Sequence, residues 1–339
     1  MRDNKLLTGS MVIIAVVVVG FVLRIAKPVL FPFCLALLFY FILSPVLDGL
    51  VRLRIPKPVA IVVIVLFFFL ALYLMGVMFY SSGKAFSAQL HQYGDRVNEV
   101  QDYLRERMAA WNVKWEPTAM LGSLDVNKIG SFLLSSLGSF VSFISNLFLI
   151  FLFLVFMLAG RGKITVKVDR AFSGRQARKI NQILSNIDGQ VQKYLAIKTI
   201  ISVLTALVAW LVLALFKLDF AIVFAFLIFL FNYIPNIGSV ISTLAPVLFA
   251  FFQFGSVWPA LWILILILVV DNLFSNVLEP KLMGRGLGLS PLAVLFSLFF
   301  WGWLWGIPGM ILAVPITAVI KIICGNIPSL RFVESILSS

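Results

Sequence analysis

Histidine and cysteine are almost missing from these 339 residues: there is one His, at 91, and two Cys, at 34 and 324. His91 has no second histidine with which to share a metal, and no Ser-His-Asp set can be assembled around it. Both cysteines lie in apolar runs, which suits buried thiols better than a disulfide or a metal site. Charge is scarce as well, at 12% of residues, against about a quarter in an ordinary soluble domain. A soluble fold could not cover its surface with so few polar groups. A Walker A motif and an HExxH motif are also lacking, so neither a built-in ATP engine nor a zinc hydrolase is expected. Gly284-Arg285-Gly286-Leu287-Gly288 has the wrong spacing for a nucleotide loop and follows no strand; it reads as a flexible loop. These absences predict no enzyme, no cofactor and no metal.

What the chain does have is apolar sequence, 62% of it, in solid runs long enough to cross about 30 Å of hydrocarbon. Solid rather than alternating runs predict helices. Crossings are expected at about 6–25, 29–47, 59–79, 131–159, 199–216 and 257–277. Two further stretches, 220–254 and 289–324, are too long for one crossing and are broken by Pro and Gly. The predicted fold class is all-α: a polytopic helical membrane protein with about eight membrane segments. The first run, Met11 to Leu23, is followed by Arg24 and Lys27 rather than a small-residue cleavage site, so it reads as a retained helix.

The net charge of +13 invites a nucleic-acid reading, but nine of the 27 basic residues fall between Arg161 and Lys198, beside an apolar run. That placement marks a cytoplasmic loop and contact with membrane lipids, not nucleic acid. The stretch 160–198 is therefore placed inside, 80–130 with six basic and six acidic residues outside, and both termini in the cytoplasm. In the exported stretch Phe86, Leu90, Tyr93, Val97, Val100, Leu104, Met108 and Trp111 form a narrow seam near heptad spacing, which needs a partner surface within the subunit or on another. In the cytoplasmic stretch a basic helix from about Gln176 carries one apolar stripe, Ile180, Ile183, Leu184, Ile187, Val191 and Leu195. It is expected to lie at the inner surface before turning into the next span. The domain order is thus 1–79 membrane helices, 80–130 exported segment, 131–159 membrane helix, 160–198 basic cytoplasmic segment, 199–324 membrane core and 325–339 cytoplasmic tail.

The two broken stretches resemble each other. The first reads helix, Asn232-Tyr233-Ile234-Pro235-Asn236-Ile237-Gly238-Ser239, helix; the second reads helix, Trp301 through Gly309 with Ile307-Pro308-Gly309 at its end, helix. Aromatics precede an Ile-Pro, and Gly follows it. Proline removes a donor and glycine permits the bend. With one crossing between them, the two would enter from opposite faces, as the inverted repeats of secondary transporters do. Between them, Asp271, Ser275 and Glu279 share one helix face, with Asn272 and Asn276 beside it. Acids inside a membrane are expensive and are functional candidates. The predicted transport path is Asn232, Pro235, Asn236, Gly238, Ser239, Asp271, Asn272, Asn276, Glu279, Pro308 and Gly309.

The Asn232–Ser239 motif, the stretch Asn276 through Ser290 and the Trp-Gly-Trp tract with Pro315 closely resemble the autoinducer-2 exporter family of bacterial permeases, over nearly the whole chain. The resemblance implies a bacterial inner-membrane protein that exports autoinducer-2 or related small molecules. It also implies a homo-oligomer, with a pentamer as the candidate stoichiometry. Some members look like sodium- or lithium-proton antiporters. Antiport needs a titratable acid in the membrane, and Asp271 and Glu279 keep that alternative, with H+ or Na+ as partner, open beside export of a small-molecule solute. A non-transporting scaffold is the third alternative, and it leaves the broken hairpins without a role.

Overall fold

The computed structural model describes residues 11, 14, 18–88, 147–284 and 287–338. The exported segment, with the seam that runs from Phe86 to Trp111, lies almost wholly outside these residues, as do parts of the expected spans 6–25 and 131–159. After a helical stretch at 18–25 the helices are α1 Lys27–Arg52, α2 Lys57–Ala88, α3 Leu147–Gly160, α4 Lys163–Ala171, α5 Gly174–Leu215, α6 Ala221–Phe231, α7 Ile237–Phe254, α8 Val257–Met283, α9 Pro291–Trp305, α10 Ile307–Asn326 and α11 Arg331–Leu337. Six of them are long and apolar enough to cross a membrane, and α3 with α4, bent by 67°, would make a seventh. The chain is a polytopic helical membrane protein, with six or seven such spans by length and composition among the described residues.

Two spans differ from the sequence expectation. The basic helix from Gln176 and the span at 199–216 are one unbroken helix, the 42-residue α5, about 63 Å long at 1.5 Å per residue. It contains no proline, and its Gly189 is exposed with nothing packed on it, so nothing forces the expected turn. The apolar stripe does what its spacing predicted: Val191 and Leu195 are fully buried while Arg175, Arg178, Lys179 and Lys193 are exposed. The other difference is α8, which runs to Met283 rather than stopping at 277. Its turns Asn272–Leu278 are wound as π-helix, and the Glu279 backbone N–H bonds back to Phe274. The proline at 280 lacks a donor and crowds the preceding turn; the wider winding just before it accommodates both.

The described residues cluster into two compact units. The first comprises residues 1–65, 146–197 and 283–339. Here Lys57 Nζ donates to the carbonyls of Ala159 (3.5 Å) and Arg161 (2.9 Å), occupying acceptors that the end of α3 leaves free. Arg161 pairs with Asp48 at 2.7 Å and stacks over the Tyr40 ring. In the same unit α9 and α10 form an antiparallel hairpin. Ser297 Oγ reaches the Ala313 carbonyl at 3.0 Å and Thr317 Oγ1 at 2.6 Å. At its open end Lys321 Nζ donates to the Leu287 carbonyl at 3.2 Å and to that of Gly288, while the Ser290 N–H bonds to Leu337.

The second unit comprises residues 66–145 and 198–282. Its apolar core joins Ala209 and Leu213 of α5, Leu218, Ile228 of α6, Ala250 of α7, and Ala260, Ile263 and Ile267 of α8. Here α6 and α7 make the other hairpin. Gln253, near the end of α7, accepts from the Asp219 N–H at 2.8 Å and donates to the Lys217 carbonyl at 3.0 Å, so the start of one arm lies beside the end of the other. Phe224 packs on Phe249 along the shaft. With 11 residues, α6 is about 17 Å long and cannot cross alone.

Candidate functional site

The site starts from the tip of the α6–α7 hairpin. The turn between the arms is Asn232 to Asn236. Asn236 is at φ +60°, and the Ile237 N–H bonds to the Pro235 carbonyl at 2.7 Å, a γ-turn that asparagine tolerates better than most residues. The next glycine sets how closely the arms meet. A Cβ on Gly238 would overlap the Phe231 carbonyl oxygen at the end of α6. The α9–α10 hairpin uses the same device: a Cβ on Gly309 would overlap the Trp301 carbonyl oxygen. The repeat seen as Ile-Pro followed by Gly is thus a repeat of geometry, in which glycine lets the first turn of one arm rest on the last turn of the other.

Polar side chains from three elements of the second unit gather at this tip. Tyr233 OH and Thr199 Oγ1 of α5 are hydrogen-bonded at 2.8 Å. Ser275 Oγ of α8 donates to Asp271 Oδ1 at 3.2 Å and lies 3.4 Å from Asn232 Oδ1. One turn further along α8, Glu279 receives Lys198 of α5, whose Nζ is 2.8 Å from Oε2 and 3.1 Å from Oε1. Lys198 is 5% exposed and Asn232 is 4% exposed. Burying an ammonium is very costly unless a counter-charge meets it, and the two oxygens of Glu279 supply that charge. Three buried side-chain polar atoms remain without a hydrogen-bond partner among the described residues: the amide nitrogen Asn232 Nδ2 at the tip, the hydroxyl Ser202 Oγ on α5, and Asn181 Oδ1 further back on α5. Ser202 is one turn along α5 from Lys198, on the same face. Unpaired buried donors are rare and call for an explanation.

The residues singled out from the sequence divide accordingly. Asn232, Asp271 and Ser275 come together, and Glu279 continues their row. Asn272 and Asn276 are exposed: Asn276 donates to Asn272 at 2.8 Å, and Asn272 to the Leu268 carbonyl. They form a ladder along a different side of α8. Pro235 and Ser239 are half-buried, Asn236 is exposed and Gly238 is buried. Pro308 and Gly309 belong to the first unit. Sequence reasoning missed Lys198, Thr199 and Ser202. Lys198, Ser202 and Thr205 were readable, standing at i, i+4 and i+7 as a polar stripe on an apolar helix, and all three are buried.

An arrangement of this kind can hydrogen-bond a small polar molecule inside an apolar protein and hold one ion pair beside it. Comparison with known proteins identifies the family. Residues 11–329 match the model of the family described as "AI-2E family transporter". The chain is 34% identical to "AI-2 transport protein TqsA" of Escherichia coli (strain K12), over 88% of this chain and 86% of that one. It is 32% identical to "Putative transport protein YhhT" of the same strain, over 88% and 84%. A Haemophilus influenzae relative named "Putative transport protein" is 30% identical over 97% of this chain and 96% of its own.

Proposed function

Because this chain belongs to the AI-2E family of transporters, we propose that it exports a small polar solute, autoinducer-2 or a related molecule, through the polar cluster at the tip of the α6–α7 hairpin. The observation that carries the reading is the unpaired Asn232 amide, buried where hairpin tip, α5 and α8 meet. Leaving a buried donor unmet costs about 1–3 kcal/mol. A solute oxygen would accept from it, and the neighbouring Ser275 hydroxyl can both donate and accept. A neutral, oxygen-rich solute suits the uncharged Asn232 amide and Ser275 hydroxyl, the Lys198–Glu279 pair adds no net charge, and the cluster's further acid, Asp271, already accepts from Ser275. The short α6 arm also suits the role, since broken helices are tolerated at membrane depth where they line a cavity.

In this reading the protein lies in the bacterial inner membrane with both termini inside. The support is the concentration of nine basic residues between Arg161 and Lys198. The assembly is a homo-oligomer, a reading that rests on the family resemblance.

Purified protein in liposomes loaded with autoinducer-2 tests the proposal. The wild type should accelerate efflux over empty liposomes. Asn232→Leu, at equal insertion, should weaken apparent affinity roughly tenfold or more, the factor that 1.4 kcal/mol gives. Efflux unchanged by Asn232→Leu would move the path away from the hairpin tip.

A further inference from the structure

The Lys198–Glu279 pair is more than the proposed solute path requires. A transporter of a neutral molecule needs no buried charge, and burying the Lys198 ammonium beside a partly buried carboxylate is unfavourable unless the two serve each other. Oxygens of the kind that hold an alkali cation stand along the same row of α8: the Glu279 carboxylate and, one turn before it, the Ser275 hydroxyl, which lies 3.2 Å from an Asp271 carboxylate oxygen and 3.4 Å from the Asn232 amide oxygen. Hard cations take such oxygens. Here, however, a cation is built into the chain. The Lys198 ammonium contacts both Glu279 oxygens, at 2.8 and 3.1 Å, and its own burial leaves it little water to retreat into.

We propose that Lys198 is a tethered counter-ion standing at Glu279 where a sodium or lithium ion would otherwise bind, so that this chain moves its solute without an alkali cation. The inference rests on the reading of the hairpin tip as the solute path. Geometry and charge support it. A second cation at Glu279 would lie within a few ångströms of the ammonium and be repelled, and Lys198 cannot leave without stranding the partly buried Glu279 carboxylate. The ammonium also has the donors to use both carboxylate oxygens, which a carboxylate offered to a metal would need to keep free. Removing Lys198 should therefore uncover a latent cation site made of Glu279 and the oxygens beside it.

Equilibrium binding of radioactive sodium to the purified full-length protein tests this independently of any solute. The wild type should show no saturable sodium binding across the millimolar range. Lys198→Ala should gain it, and Lys198→Ala combined with Glu279→Gln should lose it again. Should Lys198→Ala fail to insert, Lys198→Gln keeps most of the side-chain stem and takes its place. Sodium binding by the wild type that Glu279→Gln abolishes would overturn the proposal, as would a Lys198 variant that inserts normally and gains no sodium. A failure of autoinducer-2 efflux, by contrast, would count against the solute reading and leave the sodium result standing.

Discussion

Substituting alanine at four glycines tests the hairpin geometry, because their surroundings differ by design of the fold. At Gly238 an added Cβ would overlap the carbonyl oxygen of Phe231, and at Gly309 that of Trp301. Those obstacles are backbone, so the arms themselves must separate; overpacking of this kind costs about 1–3 kcal/mol, and rigid obstacles fall at the upper end. At Gly302 the obstacle is the Met310 side chain, whose Cε would stand 2.7 Å and Cγ 2.9 Å away, so the whole side chain must swing aside. Methionine can change rotamer, and alanine gains about 0.8–1 kcal/mol of helix propensity over glycine, so the two terms nearly offset. At Gly189 nothing lies within 4 Å, and only the propensity gain remains. Thermal unfolding in detergent, followed by tryptophan fluorescence, should therefore rank Gly189→Ala above wild type, Gly302→Ala close to it, and Gly238→Ala and Gly309→Ala well below. If the last two melt together with Gly189→Ala, the close packing of the hairpin arms is wrong.

Two further outcomes follow from named contacts. Tyr233→Phe removes the 2.8 Å bond to Thr199 without changing ring packing, which should cost about 0.5–1.5 kcal/mol and slow efflux through a loosened hairpin tip; an unchanged melting curve and efflux rate would show that the bond does not hold the tip. A cysteine replacing Gln182 on α5 should react with an impermeant thiol reagent in inverted vesicles and not in spheroplasts, with a cysteine at Gln101 showing the reverse, since charge places their segments on opposite sides. Both reacting from one side would undo the orientation.

The hairpins were legible because the features that build them are local: a proline, a glycine that must carry no Cβ, and aromatics just before the break. The tip glycines, Gly238 and Gly309, could be named from sequence, but the carbonyls they rest on could not. Continuity was harder to read. In α5 the composition changes from basic to apolar near Lys198, which looks like a boundary between helices. Backbone hydrogen bonding depends on the absence of a breaker, not on polarity, and the helix runs on. The same composition change hid Lys198, since a lysine beside an apolar run is ordinarily a snorkelling anchor. Only its partner on α8, 81 residues away, makes it an interior residue. Asn272 and Asn276 were grouped with Asp271 by proximity in sequence, yet each is one residue, or about 100°, round the helix from the row formed by Asp271 and Ser275.

Solute protection of a cysteine on α5, one turn from Lys198, tests the central claim most directly. In a protein with Cys34 and Cys324 replaced, Ser202→Cys places a thiol at the unpaired hydroxyl of α5. The account predicts that a small thiol reagent reaches it in functioning proteoliposomes and that saturating autoinducer-2 slows the reaction. A rate that autoinducer-2 leaves unchanged, in protein that still transports it, would contradict passage through this cluster.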